Sequence, residues 1–178
     1  MALYGNTFLT GKELFFDESD VIVSKTDLKG KITYGNRIFL QLSQMGEAEV
    51  LGQPHNIIRH PEMPRCVYHF LWQEVQNKRE IFAYVNNRAK SGDHYWVFAH
   101  VTPSFDSNGE VTNYHSNRRV PKRSVLDEII IPLYKELLAL EKSFDSPKDG
   151  LEASVKKVMS ILDENKMTFN EYMFSLNV

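Results

Sequence analysis

Between residues 81 and 120 apolar and polar side chains alternate with a period of two, in three runs separated by Lys90-Ser91-Gly92-Asp93 and Asp106-Ser107-Asn108-Gly109. Alternation of this kind sends successive side chains to opposite faces of a sheet, and the two breaks carry turn residues. Ile81 to Arg88, Tyr95 to Pro103 and Val111 to Val120 are therefore expected as three strands. In the middle run Tyr95, Val97, Ala99 and Val101 share one face, while Trp96 and Phe98 share the other. Both faces are rich in apolar groups, so both need cover. A sheet with one face in water is excluded, and the rest of the chain has to supply the covering layers.

Two further strands precede this block. Val21, Val23 and Lys25 alternate with Ile22 and Ser24, Asp27-Leu28-Lys29-Gly30 is a turn, and Ile32 to Tyr34 resume extended character, which reads as a hairpin. Asn36 is a candidate N-cap for a short helix carrying Phe39, Leu40 and Leu42. Gly52, Pro54, Pro61 and Pro64 leave room only for short helical turns, after which Val67, Phe70, Leu71 and Val75 form the stripe of a longer helix opened by Pro64. Two strands, several short helices and three strands describe an α+β fold: a five-stranded antiparallel sheet with short helices on one face. Residues 1–19 are too weakly periodic for more than a short helix or arm capping the N-terminal side. The sheet domain is expected over 20–121, and a helical extension over 122–178.

That extension contains Leu126, Ile130, Leu133, Leu137, Leu140 and Phe144 in a heptad-like seam. Ser124 and Asp127 are spaced as a capping box, and Pro132 should kink the helix. Ser146-Pro147 opens a second helix with Leu151, Val155, Val158 and Leu162 as its stripe, and Thr168 with Glu171 caps a third bearing Phe169, Tyr172, Met173 and Leu176. Part of this apolar surface should cover Trp96 and Phe98, leaving the remainder for a homodimer or a partner helix.

Composition narrows the function. Twenty-one basic and twenty-three acidic residues leave a net charge of −2, without the basic surplus that nucleic-acid binding draws on. No apolar run approaches the roughly 20 residues of a bilayer span. The N-terminus lacks a signal pattern, and Cys66 is the only cysteine, so neither a disulfide framework nor a cysteine-rich zinc site is available. A cytoplasmic location is expected.

The densest polar and aromatic stretch runs Gln53-Pro54-His55-Asn56-Ile57-Ile58-Arg59-His60-Pro61-Glu62-Met63-Pro64, with Trp72 on the helix beyond it. Beside a curved sheet such a proline-broken segment is a natural pocket wall for a polar planar ligand. Arg59 suits a phosphate or carbonyl, Asn56 and His60 offer hydrogen bonds, and Trp72 offers a ring contact. The plainer alternative is a local Arg59–Glu62 ion pair with His60 as a turn residue.

Gln53-Pro54-His55-Asn56, Arg59-His60-Pro61-Glu62-Met63-Pro64 and Gly92-Asp93-His94-Tyr95-Trp96-Val97, in this order and followed by Pro132-Leu133-Tyr134-Lys135, resemble the PAS sensor domain of bacterial aerotaxis and energy-taxis receptors. The resemblance covers roughly residues 20–138. It implies a PAS fold holding FAD non-covalently between sheet and short helices. Asn36, Arg59, His60, Trp72 and Asn87 match family positions associated with the flavin, and His55 and Asn56 belong to the matching motif. Glu62 stands where the family usually has Asp, one methylene longer. Ile81 stands where the best-known members have Trp, and Phe82 beside it points to the opposite face.

The resemblance also implies a redox or energy sensor, not an enzyme, that signals by contact with the cytoplasmic region of a chemotaxis receptor or a similar signalling protein, and so associates with a membrane through that partner. A haem-binding gas sensor, with His55, His60 or His69 as axial ligand, and a flavin-dependent reductase are the alternatives. Cys66 allows a flavin-cysteinyl photoadduct but lacks the sequence context of light sensors, and a buried core residue is the simpler reading. His94 and His100 are assigned to packing or surface. Arg118-Arg119 with Lys122-Arg123 reads as a solvated corner or a contact for an acidic partner. No nucleotide-hydrolysing, metalloprotease or nucleophile-base motif is present, and no metal site is expected.

Overall fold

The computed structural model describes residues 8–176. Five strands, β1 (Ile22–Thr26), β2 (Ile32–Gly35), β3 (Ile81–Arg88), β4 (His94–Phe105) and β5 (Val111–Arg119), form one sheet in the order β2-β1-β5-β4-β3 with every neighbour antiparallel. The β1–β2 turn is set by Asp27, whose Oδ1 accepts from the amides of Lys29 (2.9 Å) and Lys31 (2.8 Å), while Gly30 takes φ +76°. That left-handed conformation favours a residue without Cβ.

The register between β3 and β4 pairs Ala83 with Ala99 and Val85 with Val97 on one face, and Tyr84 with Phe98 and Phe82 with His100 on the other. α1 (Arg37–Ser43), α2 (Glu47–Val50), a 3-10 turn (His55–Ile58) and α3 (Arg65–Gln76) lie between the hairpin and β3 and build the layer over the first face. Asn36 caps α1. Its Oδ1 accepts from the amides of Phe39 (3.0 Å) and Val23 (3.1 Å), and its Nδ2 donates to the Val21 carbonyl (2.7 Å), so one side chain joins the helix to the start of β1.

The second face is covered by the C-terminal helices. α4 (Arg123–Val125), a π turn (Leu126–Ile130) and α5 (Ile131–Lys142) run on continuously. Tyr134 of α5 lies 6.0 Å from the Trp96 ring and donates its hydroxyl to the Tyr84 carbonyl at 2.8 Å. α6 (Pro147–Asn165) packs against α5 and α3, and α7 (Phe169–Ser175) closes the β3 edge. There Asn170 accepts from the Phe82 amide (2.8 Å) and donates to the Glu80 carbonyl (2.7 Å), and Phe174 meets the Phe82 ring. An edge strand that would otherwise offer unpaired amides is thus capped by a side-chain amide. Leu126, Ile130, Leu137, Val158 and Leu162 are all buried within the chain itself. Only the flanks of the seam, with Phe144 exposed, remain for any other surface.

A polar contact ties α3 to α5. The buried Glu141 carboxylate accepts from the amides of Arg65 and Cys66 (both 3.0 Å), from Arg65 Nε (3.0 Å) and from Ser154 Oγ of α6 (2.9 Å). It therefore satisfies the free amides at the start of α3 with a charge of the favourable sign.

One local expectation is corrected, and two others take a definite form. Ser124 does not cap, because Asp127 is held instead by Arg123 through two hydrogen bonds of 2.8 and 2.6 Å, a bidentate pair stronger than one bond to an amide. The irregularity expected at Pro132 takes the form of a change in hydrogen bonding, with the helix running on. The wider π turn just before the proline takes up the missing amide and the clash with the preceding turn. Of the short helix or arm expected at the N-terminus, the described part is the arm: it runs beside the β3–β4 turn, bonded to Gly92 and His94, with Glu13 paired to Arg123 at 2.7 Å. Residues 1–7 of that expected arm, and 177–178 of the expected extension, lie outside the described residues.

Candidate functional site

Where α3, the 3-10 turn and the first face of the sheet separate, they enclose a cavity of about 270 Å³. Val85, Ala99 and Val101 from the sheet and Leu71, Trp72 and Val75 from α3 give it apolar walls. Exposed Lys29 and Asn56 form its rim. Trp72 is seated by an edge contact with Tyr114 at 5.8 Å, and its Cη2 comes so close to Gly30 that a Cβ there would lie 3.0 Å away. The tight turn thus positions the aromatic wall.

The polar end of the cavity is organised by Arg118 of β5. Its Nε donates to Ser116 Oγ at 3.0 Å, and its Nη2 donates to Ser24 Oγ and to His55 Nε2, the latter at 2.8 Å. Since Nε2 accepts, the His55 proton resides on Nδ1. Burial first, and the adjacent guanidinium second, push His55 down to about 3, so it is neutral. Burial pushes Arg118 down to about 10, which leaves it charged near neutral pH. Two buried donors aimed at this space have no partner: Arg118 Nη1 and Asn87 Nδ2. Orphan buried donors of this kind point to a missing acceptor.

Residues 32–118 match the family model described as "PAS fold". Over 134 residues the chain is 36% identical to the aerotaxis receptor of Escherichia coli, covering 74% of this chain and 26% of the receptor. It is 28% identical to the nitrogen fixation regulatory protein of Klebsiella pneumoniae over 60% of this chain and 22% of that protein. The chain carries a PAS domain. It spans about a quarter of the length of these curated relatives. The fold also superposes on the dark-state structure of the blue-light photoreceptor Aureochrome1 LOV, with a TM-score of 0.56 at 21% identity over 65% of this chain and 86% of that one. A light-oxygen-voltage domain studied with a flavin analogue gives the same TM-score at 19% identity, over 65% of this chain and 87% of that one.

Of the residues marked by sequence, the PAS cavity brings together His55, Asn56, Arg59, Trp72 and Asn87. Asn36, His60 and Glu62 stand off the cavity wall. Asn36 is consumed by its cap. His60 is buried against the His94 ring, 5.6 Å away, where burial pushes it down to about 4, and its Nδ1 accepts from the Glu62 amide at 3.3 Å. Glu62 is exposed. Arg59 makes no ion pair with Glu62. Its guanidinium lies 4.1 Å over the Tyr68 ring and donates to the Met63 carbonyl at 3.2 Å.

Arg118 is a correction of a different kind: it belongs to the cavity and not to a solvated basic corner. The signal was present in the strand period, since Tyr114, Ser116 and Arg118 share the inward face. Cys66 is fully buried on the other side of α3, among Leu137, Val158 and Leu162, and burial pushes its thiol up to about 12. It does not line the cavity, which removes the photoadduct reading. His69 is exposed and off the cavity wall, and His55, which lines the cavity, has its Nε2 engaged by Arg118, so neither offers a free axial nitrogen there. Ile81 is fully buried opposite Val101 without lining the cavity. Among the described residues no group of three or more His, Cys, Asp or Glu is placed to hold a metal, and no helix is long and apolar enough to cross a membrane.

Proposed function

We propose that this PAS domain is a sensor that binds a flavin, FAD by its relation to the aerotaxis receptor, and reports redox or energy state by protein contact. The observation that carries the reading is the pairing of apolar walls with two unpartnered buried donors, Asn87 Nδ2 and Arg118 Nη1, at one end of the cavity. An isoalloxazine ring is planar, apolar over most of its faces and lined along one edge with carbonyl and ring-nitrogen acceptors, so its chemistry fits this donor set. A cavity of about 270 Å³ is near the ~300 Å³ lower bound of ligand pockets, suited to a ring system whose tail leaves past Lys29 and Asn56. When bound, a flavin supplies reversible two-electron chemistry with a change of charge.

The chain's own residues have distinct parts in this reading. Trp72, Leu71 and Val85 exclude water, Asn87 fixes the polar edge, and Arg59, which follows the 3-10 turn, supplies a cation on the cavity wall. Residues 20–121 act as the sensor and 122–178 as the extension that meets the partner. The partner is the cytoplasmic region of a chemotaxis receptor or a similar signalling protein, which would hold this chain in the cytoplasm beside a membrane. No turnover is required of it.

Absorption of the purified protein, before and after FAD is supplied, tests the reading. A flavin spectrum is expected, with Arg59→Ala and Trp72→Ala each losing flavin while remaining folded. Protein that is colourless and takes up no FAD refutes it. A Soret band supports a haem sensor instead, and steady oxidation of a nicotinamide donor supports a reductase.

A further inference from the structure

Arg118 is a buried cation without an anion. It is 2% exposed, all its partners (Ser24, Ser116 and His55) are uncharged, and no described carboxylate lies within ion-pair distance. The Phe39 ring, 5.4 Å away, adds only a weak cation–π contact. An isolated charge in a low-dielectric interior is costly unless a counter-charge reaches it. Neighbouring histidine adds no positive charge, because His55 is held neutral. Arg59, the other arginine at the cavity, already has a ring and a carbonyl. The net result is one fixed positive charge with one unpartnered NH2 group, Nη1, on the cavity wall.

Resting on the flavin reading above, we infer that Arg118 selects the charge of the bound ligand, so that the reduced, anionic flavin is held more tightly than the neutral oxidised one. Reduction by an added dithionite-class reductant delivers two electrons, and one proton from solvent goes to N5. The negative charge then stays over N1 and the neighbouring carbonyl oxygen. Ser24, Ser116 and His55 act as positioning residues that hold the guanidinium in place. Asn87, which carries no charge, orients either state equally.

The test measures FAD affinity in both redox states for the wild-type chain, Arg118→Gln and Arg118→Lys at pH 7.5. Oxidised FAD is titrated optically. Affinity for the reduced form follows from the midpoint potential of bound relative to free FAD through the thermodynamic cycle. The wild type is expected to bind reduced FAD about tenfold or more tightly than oxidised FAD, the lower end for a hydrogen bond to a charged group. In Arg118→Gln the ratio of reduced to oxidised affinity should fall about tenfold, whatever the variant does to oxidised binding itself, and Arg118→Lys should keep part of it. A wild-type ratio of one or less, or the same ratio in Arg118→Gln, overturns the inference while leaving the flavin site standing. Wild-type protein that binds no FAD removes the flavin reading and this one with it. Should Arg118→Gln fail to melt cooperatively, the wild-type ratio decides alone.

Discussion

Replacing Glu141 by Ala removes the single carboxylate that serves α3, α5 and α6 together. Four hydrogen bonds disappear, from the amides of Arg65 and Cys66, from Arg65 Nε and from Ser154 Oγ. The Glu141 side chain is 2% exposed, whereas that of Arg65 is 34% exposed and can recruit water once its partner is gone. Breaking a buried pair costs about 3–5 kcal/mol, and the accessible arginine argues for the lower end, about 3 kcal/mol. With a urea m-value of about 2 kcal/mol/M, this lowers the unfolding midpoint by about 1.5 M. Glu136→Ala is the control: its pair with Lys157 (3.0 Å) is exposed on both sides and should contribute at most about 1 kcal/mol. Equilibrium urea unfolding followed by far-UV circular dichroism measures both. A midpoint for Glu141→Ala no lower than that for Glu136→Ala would show that the helices dock without the carboxylate. The pH dependence has a definite sign. Burial alone would raise the Glu141 pKa, but the amides of Arg65 and Cys66, the Arg65 side chain and Ser154 outweigh it and hold the carboxyl below its usual range. Its contribution is therefore present above the unfolded-state carboxylate pKa and is lost as pH falls through the folded one.

Other outcomes follow from the same geometry. His55, pushed down to about 3, and His60, pushed down to about 4, both disfavour protonation in the folded state, so each should cost the apoprotein about 1.5 kcal/mol between pH 6.5 and 5, and His55→Gln should remove about half of that slope in urea titrations. Cys66 should resist a thiol reagent in the native protein and react only in denaturant, and Cys66→Ser should leave the response of bound flavin to blue light unchanged; rapid native labelling would contradict the buried placement. Gly30→Ala meets both a φ of +76° and Trp72 at 3.0 Å, whereas Gly52→Ala meets the same φ with open space. Both should lower the melting temperature by a few degrees, at about 1 kcal/mol each, but only Gly30→Ala should also weaken flavin binding; equal binding in the two would detach the turn from the aromatic wall.

The sheet was legible because strand periodicity is a local property. Both turns, the β1–β2 hairpin, the Asn36 cap and the caps at Ser146 and Thr168 all follow from residues within a few positions of one another. Sites built across elements were only partly legible. Arg59, Trp72 and Asn87 could be gathered from a motif, but Ser24, His55 and Arg118 meet only because β1 pairs with β5 and the 3-10 turn lies over both. Asn36 and His60 show the opposite failure: polar side chains in the right motif whose hydrogen-bonding capacity is already used by the backbone or by a neighbour.

The C-terminal helices carry the same distinction further. Their apolar spacing says that a face will be buried, but it is equally satisfied by a second chain or by the chain's own sheet and α3. Glu141 was the residue that could separate these outcomes. It follows Leu137 by four positions and so shares the buried face of α5, where an ionised carboxylate survives only if donors meet it. In a symmetric pair of helices such donors would have to come from the partner's helix at the same level. Here they come from the amides that begin α3, which a helix terminus offers and the middle of another helix does not. A charge on the seam therefore favours docking against a helix end within the chain, and the flank bearing Leu140 and Phe144 is what this arrangement leaves uncovered.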